Sequence, residues 1–244
     1  MKRKSCKGEL TTQQIVILIV AIASFAIILF LLYRLNLSET SDEQICHNSV
    51  VLKSQEKIPL GAKLDCNTKY ICISGGGKCE NFDAIKTVNI DLKKEDAKEE
   101  IMKSLAEEMA TCWWMFGEGK IRYAGNGDCA ICSAIMFDSE ILNYIEEDES
   151  FRISYGDFYN YLNELDKNSE TYFTYLYSSY NVDIFQENVA HLKIDLDENF
   201  ILGDGRYNIV TGIITDAIFL PVYYVKSDQM SKLEPKCNKF VTKA

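Results

Sequence analysis

The sequence has little proline and histidine, and it lacks an excess of basic residues. Its 244 residues include 3 Pro, 13 Gly and 2 His, and 47% of them are apolar. This composition excludes collagen-like and low-complexity disordered chains, and it is sufficient for a buried core. The chain has 26 Lys and Arg against 36 Asp and Glu, a formal charge of -10. Because this charge repels polyanions, we predict no nucleic-acid partner.

Motifs of common catalytic centres are also missing. The sequence contains no G-x-S-x-G, H-E-x-x-H or Walker pattern, so we predict no catalytic site and no cofactor. His191 stands alone beside Leu192, which is more typical of a strand residue than of a catalytic base. Asp195, Asp197 and Asn199 resemble the start of a calcium loop, but Arg206 occupies the position where that loop needs a bidentate glutamate. We therefore predict no metal site.

One long apolar run interrupts the chain near its start. Residues 15–33 carry side-chain polar groups only at Ser24 and Tyr33. As a helix this run would be about 28 Å long, close to the ~30 Å hydrocarbon core of a bilayer. The alternative is a removed secretory signal, whose apolar region is shorter and is followed by small residues at a cleavage site. Residues 33–37 offer no such site, so we predict an uncleaved transmembrane helix in contact with lipid.

Charges on either side of this run predict its orientation. Basic residues precede it at Lys2, Arg3, Lys4 and Lys7, whereas Arg34 is followed by the acidic residues Glu39, Asp42 and Glu43. This asymmetry predicts a cytoplasmic N-terminus. The sequence therefore divides into a cytoplasmic segment (1–14), a transmembrane helix (15–33), a polar juxtamembrane linker (34–45) and an extracytoplasmic domain (46–244). Residues beyond position 34 include 21 basic and 35 acidic side chains, so this domain is acidic.

Cysteine is abundant, with nine in the chain. Cys6 precedes the apolar run, and an even set follows it: Cys46, Cys66, Cys72, Cys79, Cys112, Cys129, Cys132 and Cys237. An even number in an oxidising compartment is typical of a disulfide framework, here with 105 possible pairings. We predict structural bridges whose connectivity the sequence leaves open.

Cys129 and Cys132 have the C-x-x-C spacing of redox disulfides and of zinc half-sites. A redox centre needs the first cysteine at a helix N-terminus, but the residues after Cys132 indicate a strand. Zinc would need further ligands such as Cys72 and Cys79, whose spacing is too long. We therefore favour bridges from Cys129 and Cys132 to different partners, and a thiol-disulfide oxidoreductase stays an alternative.

The residues ahead of the apolar run carry a family resemblance. Lys7-Gly8-Glu9-Leu10-Thr11-Thr12-Gln13-Gln14 resembles the archaeal class III signal segments of archaellins and type IV pilin-like proteins. The resemblance implies cleavage between Gly8 and Glu9, with the apolar helix retained as anchor and filament core. Gln13 stands where that family usually has an acidic residue that aligns neighbouring subunits, so processing without polymerisation is compatible with the resemblance. The rest of the chain is similar to uncharacterised single-pass archaeal surface proteins.

An amphipathic helix is predicted for residues 94–116. Its apolar face repeats at three and four residues: Ile101, Leu105, Met109, Cys112 and Phe116. Its glutamates, including Glu107 and Glu108, are assigned to the solvent side, and Gly117 and Gly119 end it. Trp113 and Trp114 near its end are candidate ligand-binding aromatics, but adjacent helical residues diverge by ~100°, so at least one should face the core.

Half of the 14 tyrosines fall between residues 153 and 180. We predict two helices there, the first with Ser154 and Asp157 as a capping box and the second after Ser169. Tyr172 and Tyr175 are candidate binding residues for a sugar or a protein. The alternative is a helical hairpin packed on the sheet with its tyrosine hydroxyls in water.

Strand patterns occur in two parts of the chain. Residues 46–79 indicate a loop-rich β segment tied by disulfides, and residues 200–225 indicate an antiparallel β-meander in which Pro221 marks an edge strand. Together these features predict an α+β domain behind a transmembrane helix. We expect a structural or interaction protein of the cell membrane, with other surface proteins or glycans as partners. A pilin-like subunit is the main alternative.

Overall fold

The computed structural model describes residues 12–34, 37–55, 64–121, 128–148, 151–178, 181–182, 185, 196–199, 201, 205–214, 219–232, 237 and 239–243. The chain divides into two compact units, Met1–Asp42 and Glu43–Ala244. The processing pair Gly8 and Glu9, together with His191 and Asp195, lies outside the described residues.

Helix α1 (Thr12–Arg34) contains the apolar run predicted to span a membrane. Its segment Gln13–Phe30 has a mean hydropathy of 2.6, and none of it is buried within the chain. The hydroxyl of Ser24 donates to the carbonyl oxygen of Val20 at 2.8 Å, so the helix itself satisfies this polar group. Among the described residues, α1 alone has the length and composition to cross a bilayer, which is compatible with single-pass anchoring.

Helix α2 (Leu37–Ser54) corrects two predictions. Residues 37–45 were predicted as an irregular linker, and residues 50–52 as part of a β segment, but both are helical. Cys46 and Val50 lie four residues apart on one helical face and are buried in the core. A bridge from Cys46 to Cys66 also ties the helix to the domain. The polar composition concealed this docked helix, because its buried face is narrow.

The core sheet is mixed. Its strands are β1 (Lys69–Ser74), β2 (Lys86–Asn89), β3 (Asp128–Phe137), β6 (Tyr207–Ile214), β7 (Phe219–Lys226) and β8 (Lys239–Phe240). The order is β2-β1-β3-β6-β7, and β8 pairs with the start of β3. Strand β1 runs parallel to β2 and β3, whereas β6 runs antiparallel to β3 and to β7.

The C-terminal strands therefore differ in part from the predicted meander. Strands β6 and β7 form an antiparallel hairpin, but they extend a mixed sheet instead of forming a separate antiparallel one. The predicted first strand, at residues 200–202, is described only at Ile201, which is not in a strand. Pro221 lies in β7, the last strand in the order, in agreement with the predicted edge position.

Helix α3 (Ala97–Met115) connects β2 to β3, the parallel neighbours on either side of β1. The predicted apolar face is confirmed, because all five of its residues are at most 1% exposed: Ile101, Leu105, Met109, Cys112 and Phe116. The assignment of every glutamate to the solvent side was wrong for Glu108, which is only 5% exposed. The buried residues of this helix pack in the hydrophobic core of the domain.

Glu108 is buried because two strand lysines reach it. Its carboxylate accepts from Lys69 Nζ at 3.0 Å and from Lys86 Nζ at 2.9 Å, and Lys69 Nζ also donates to Glu43 at 2.7 Å. Burial alone would lower the pKa of Lys69, but the charge of Glu108 and the hydrogen bond to Glu43 outweigh it and raise that pKa. The network neutralises charge inside the core.

Three short helices and a small hairpin are also among the described elements of the domain. They are α4 (Ser139–Glu147), α5 (Tyr155–Glu164), the paired strands β4 (Asp166–Lys167) and β5 (Glu170–Thr171), and α6 (Tyr172–Tyr177). A 3-10 turn, Ser227–Lys232, follows β7. The predicted capping box is confirmed: Ser154 Oγ accepts from the backbone of Asp157 at 3.0 Å, and Asp157 accepts from the backbone of Ser154 at 3.2 Å.

The tyrosines of this region divide into two sets. Tyr155, Tyr159 and Tyr177 are buried, and the hydroxyl of Tyr177 donates to the carbonyl oxygen of Val222 at 3.0 Å. The expectation that packed tyrosines keep their hydroxyls in water was wrong for Tyr177. Tyr172 and Tyr175 remain half-buried.

All eight cysteines after α1 are paired. The bridges join Cys46 to Cys66, Cys72 to Cys79, Cys112 to Cys132, and Cys129 to Cys237, with Cα–Cα distances of 4.4 to 5.9 Å. The predicted disulfide framework is confirmed, as are the different partners of Cys129 and Cys132. Cys129 and Cys132 lie on β3, where the register with β6 shifts between Ile131 and Ser133.

Candidate binding cavity

A surface cavity of about 580 Å³ lies beside α3 and α6. It is lined by Glu43, Glu107, Ala110, Thr111, Trp114, Glu118, Lys167, Asn168, Tyr172 and Tyr175. We call it the aromatic cavity. Its lining combines three aromatic rings with three carboxylates and one lysine, which is a suitable set for binding a polar ligand with an apolar or cationic part.

Helix α3 supplies one wall. Glu107, Ala110, Thr111 and Trp114 follow one another at three, one and three residues, so they share a helical face. Ala110 leaves space between the larger neighbours because its side chain ends at Cβ. This face lies beside the buried face of the same helix, so one element both builds the core and presents the cavity.

Trp114 is held in place by His47 of α2. The two rings stack with centroids 4.3 Å apart and planes inclined by 10°. The Nδ1–H of His47 donates to the carbonyl oxygen of Trp114 at 2.9 Å. Because one ring face packs on the imidazole, the indole is fixed in orientation where it lines the cavity.

The opposite wall comes from α6 and the β4–β5 hairpin. Tyr172 and Tyr175 lie three residues apart on α6, and the hairpin places Lys167 Nζ 5.0 Å from the centroid of the first ring and 4.7 Å from that of the second. These distances are typical of cation–π contacts. Thr171 caps α6 by accepting from the backbone of Thr174 at 3.2 Å, which fixes where the helix begins.

Glu118 enters the cavity from the turn after α3. Gly117, Glu118 and Gly119 have φ of 81°, 53° and 69°, a left-handed run that glycine adopts without steric cost. A Cβ on Gly119 would lie 2.9 Å from the Trp113 ring, so only glycine fits this close approach. The turn directs Glu118 toward α6.

The Glu118 carboxylate joins the two walls. It accepts from the hydroxyl of Tyr175 at 2.7 Å and from Lys120 Nζ at 2.6 Å. The hydrogen bonds from Lys120 and Tyr175 lower the pKa of Glu118. Burial and the hydrogen bond to Glu118 raise the pKa of Tyr175. At neutral pH the pair is therefore a carboxylate and a neutral phenol.

Three of the four aromatic residues predicted to bind a ligand meet in this cavity: Trp114, Tyr172 and Tyr175. The fourth, Trp113, is 6% exposed and belongs to the core, in line with the expectation that one of the two tryptophans faces inward. Sequence reasoning missed Lys167 and Glu118. The glycines flanking Glu118 were interpreted only as the end of a helix, and the sequence holds no local signal that Glu118 faces the tyrosines of α6.

The described residues form neither the zinc site nor the C-x-x-C redox centre that the sequence analysis considered. Cys72 and Cys79, considered as zinc ligands, form a bridge with each other. Cys129 and Cys132 are each at most 1% exposed and bond to different partners, unlike a C-x-x-C redox disulfide. Among the described residues, no three His, Cys, Asp or Glu side chains form a group that could hold a metal ion.

Comparison with protein-family models, with curated proteins and with solved structures found no match to this chain. The class of protein is therefore given by the fold and the site: a disulfide-bridged α+β domain with an aromatic cavity, following an apolar helix long enough to span a membrane.

Proposed function

We propose that this chain is a membrane-anchored, extracytoplasmic surface protein that acts by binding. The observation that carries the proposal is the complete pairing of all eight cysteines after α1. Disulfides form and persist in oxidising compartments and are rare where thiols are kept reduced. A four-bridge domain directly after an apolar helix is thus best explained by export across the membrane with α1 as the anchor.

Charge asymmetry supports the same orientation. The segment before α1 carries Lys2, Arg3, Lys4 and Lys7, and the residues after it are rich in acids. Basic flanks stay on the cytoplasmic side of single-pass proteins. The acidic domain therefore lies outside the cell, where other surface proteins or glycans are its potential partners.

The aromatic cavity supports binding over catalysis. Two of its three carboxylates are engaged by neighbouring side chains: Glu118 by Lys120 and Tyr175, and Glu43 by Lys69. Carboxylates held in such contacts can orient a ligand. A general base, by contrast, must direct a free lone pair at the proton that it removes from the substrate. The thiol-disulfide oxidoreductase alternative is weakened by the separate bridges of Cys129 and Cys132.

Surface labelling of intact cells tests this proposal. An amine-reactive, membrane-impermeant biotin reagent should modify exposed lysines of the domain, such as Lys103 and Lys120, without lysis. A cytoplasmic marker protein in the same cells controls for leakage and should stay unlabelled. Labelling of Lys103 and Lys120 only after lysis would contradict the proposed topology.

A pilin-like subunit is a second candidate, favoured by the position of α1. This helix, Thr12–Arg34, lies entirely after the predicted cleavage point behind Gly8 and is unbroken along its length. A processed subunit would keep all of it. Detergent-resistant polymers whose subunits begin at Glu9 would support this candidate, and chains that run only as monomers would count against it.

A further inference from the structure

We propose that the aromatic cavity, taken as the binding site of the proposed function, selects an organic cation with an ammonium group, and that Lys167 is a built-in occupant which this ligand displaces. Three observations carry the inference: the seat of Lys167 on two rings, the charge of Glu107 near that seat, and the contacts of Lys167.

The first observation is that the cavity already holds an ammonium group. Lys167 Nζ lies 4.7 Å from the Tyr175 ring centroid and 5.0 Å from the Tyr172 ring centroid. An ammonium group within about 6 Å of a ring centroid is attracted by the negative face of the ring. The two tyrosines thus form a cation seat, and a ligand ammonium can occupy it in place of the lysine.

The second observation is the charge of the lining. Glu43, Glu107 and Glu118 provide three carboxylates, against one lining cation, Lys167. Glu107 is exposed, and its charge reaches the seat, because burial and the charge of Glu107 together raise the pKa of Tyr172. Glu43 and Glu118 are paired with Lys69 and Lys120, so displacement of Lys167 leaves the charge of Glu107 near the seat, where it attracts a cation.

The third observation concerns what holds Lys167. Within the part of the chain that the structure describes, the ion pairs of the cavity involve Lys69 and Lys120, and Lys167 is held by its two ring contacts. It lies on a two-residue strand, and its long side chain can turn toward water at little cost. Displacing it breaks no salt bridge of the cavity.

A titration with n-butylammonium, a mimic of a lysine side chain, tests the inference. The full chain in phosphatidylcholine nanodiscs is titrated by saturation-transfer NMR, with n-butanol and methyl β-glucoside as neutral comparison ligands. We expect binding of the cation and none of n-butanol. The variant Lys167→Met removes the competing ammonium group and should bind n-butylammonium about five- to tenfold more tightly.

Matched variants distinguish the contribution of the tyrosine rings to binding from the contribution of nearby charge. Tyr175→Leu removes a ring and should abolish binding, while Tyr175→Phe keeps the ring and should retain it. Glu107→Gln should weaken binding several-fold. Lys93→Met and Glu146→Gln alter exposed charges outside the lining, and they should leave the affinity unchanged.

The outcomes separate this inference from the proposed function. The inference is supported if Lys167→Met alone binds n-butylammonium more tightly than the wild type and Tyr175→Leu no longer binds it. Binding of methyl β-glucoside but not of n-butylammonium overturns the inference and leaves a surface-binding protein. No binding of n-butylammonium even by a folded Lys167→Met variant also overturns it. Failure of the proposed function would appear independently, as domain lysines that label only in lysed cells.

Discussion

Glu108 shows how a single side chain can join separate parts of the core. It projects from α3, and its carboxylate lies between Lys69 and Lys86 of two adjacent strands. Ser133 Oγ of β3 is a further contact at 3.5 Å. Because the charges compensate one another, the polar cluster is accommodated in an otherwise apolar interface.

We expect Glu108→Gln to reduce the free energy of unfolding by about 3–5 kcal/mol, because it leaves the largely buried Lys69 with less compensating charge. Urea unfolding of the detergent-solubilised chain, followed by near-UV circular dichroism, measures the change. The control is Glu99→Gln, which alters an exposed residue of the same helix and should change stability by less than about 0.5 kcal/mol. Equal effects of the two variants would show that Glu108 is not a buried charge.

At the scale of elements, Asp138 ties the end of β3 to the loop after β1. It is the N-cap of α4 and accepts from the backbone of Ile141 at 3.0 Å. The same carboxylate accepts from Gly75 and Gly77 at 3.0 and 2.7 Å and from Ser74 Oγ at 2.8 Å. Burial would raise the pKa of Asp138, but these hydrogen bonds outweigh it and lower that pKa.

This lowered pKa predicts a pH dependence of stability. The contribution of Asp138 is fully present above the pKa of an unfolded aspartate, about 3.9, and is lost as the pH falls through the lower folded value. Asp138→Asn should be less stable by about 1–3 kcal/mol at pH 7. Its unfolding free energy should also decline less than that of the wild type between about pH 5 and 3.

Asp96 provides the control for this experiment. It is the N-cap of α3, but its side chain makes no capping hydrogen bond, so Asp96→Asn should change stability little at either pH. Unfolding free energies measured at several pH values distinguish the two variants. Parallel pH profiles for Asp138→Asn and the wild type would contradict the role assigned to this carboxylate.

Elements defined by local patterns were predicted from the sequence, and elements defined by distant contacts were not. The buried face of α3 follows from its three- and four-residue repeat, and the start of α5 follows from Ser154 and Asp157. The parallel pairing of β1 with β2 and β3 carries no local signal. The burial of Cys46 and Val50 of α2 carries no local signal either, because it depends on a core built from distant segments.

Only part of the cavity lining could be predicted from the sequence. Residue type identified Trp114, Tyr172 and Tyr175 as candidates, because large aromatic rings outside a core face suit ligand contact. Their meeting depends on how α3 packs against α6. Lys167 and Glu118 come from a hairpin and a turn, so only the folded chain brings them to the same rings.

At the scale of the whole molecule, the bridges differ in how much chain they constrain. Cys129 and Cys237 are 108 residues apart, whereas Cys72 and Cys79 are separated by 7. The long bridge fastens the C-terminal region to β3, where β8 also pairs. In the chain-entropy model, a bridge closing a longer loop restricts the unfolded state more.

We therefore expect the double variant Cys129→Ala, Cys237→Ala to lose about 5 kcal/mol of stability, and Cys72→Ala, Cys79→Ala about 2 kcal/mol. Both remove two sulfur atoms, so the second variant is a matched control for the first. Thermal unfolding of the two chains under the same conditions provides the comparison. A larger loss from the short bridge would contradict the ranking.

The most direct test of a membrane-anchored, disulfide-bridged surface protein is the intact mass of the membrane-extracted chain after differential alkylation. Free thiols are blocked before reduction, and the cysteines released by reduction are then labelled with a second reagent. We predict eight released cysteines and a mass that retains α1, with the chain beginning either at its first residue or at Glu9. A chain lacking residues 15–33, or free thiols among the eight domain cysteines, would contradict the account.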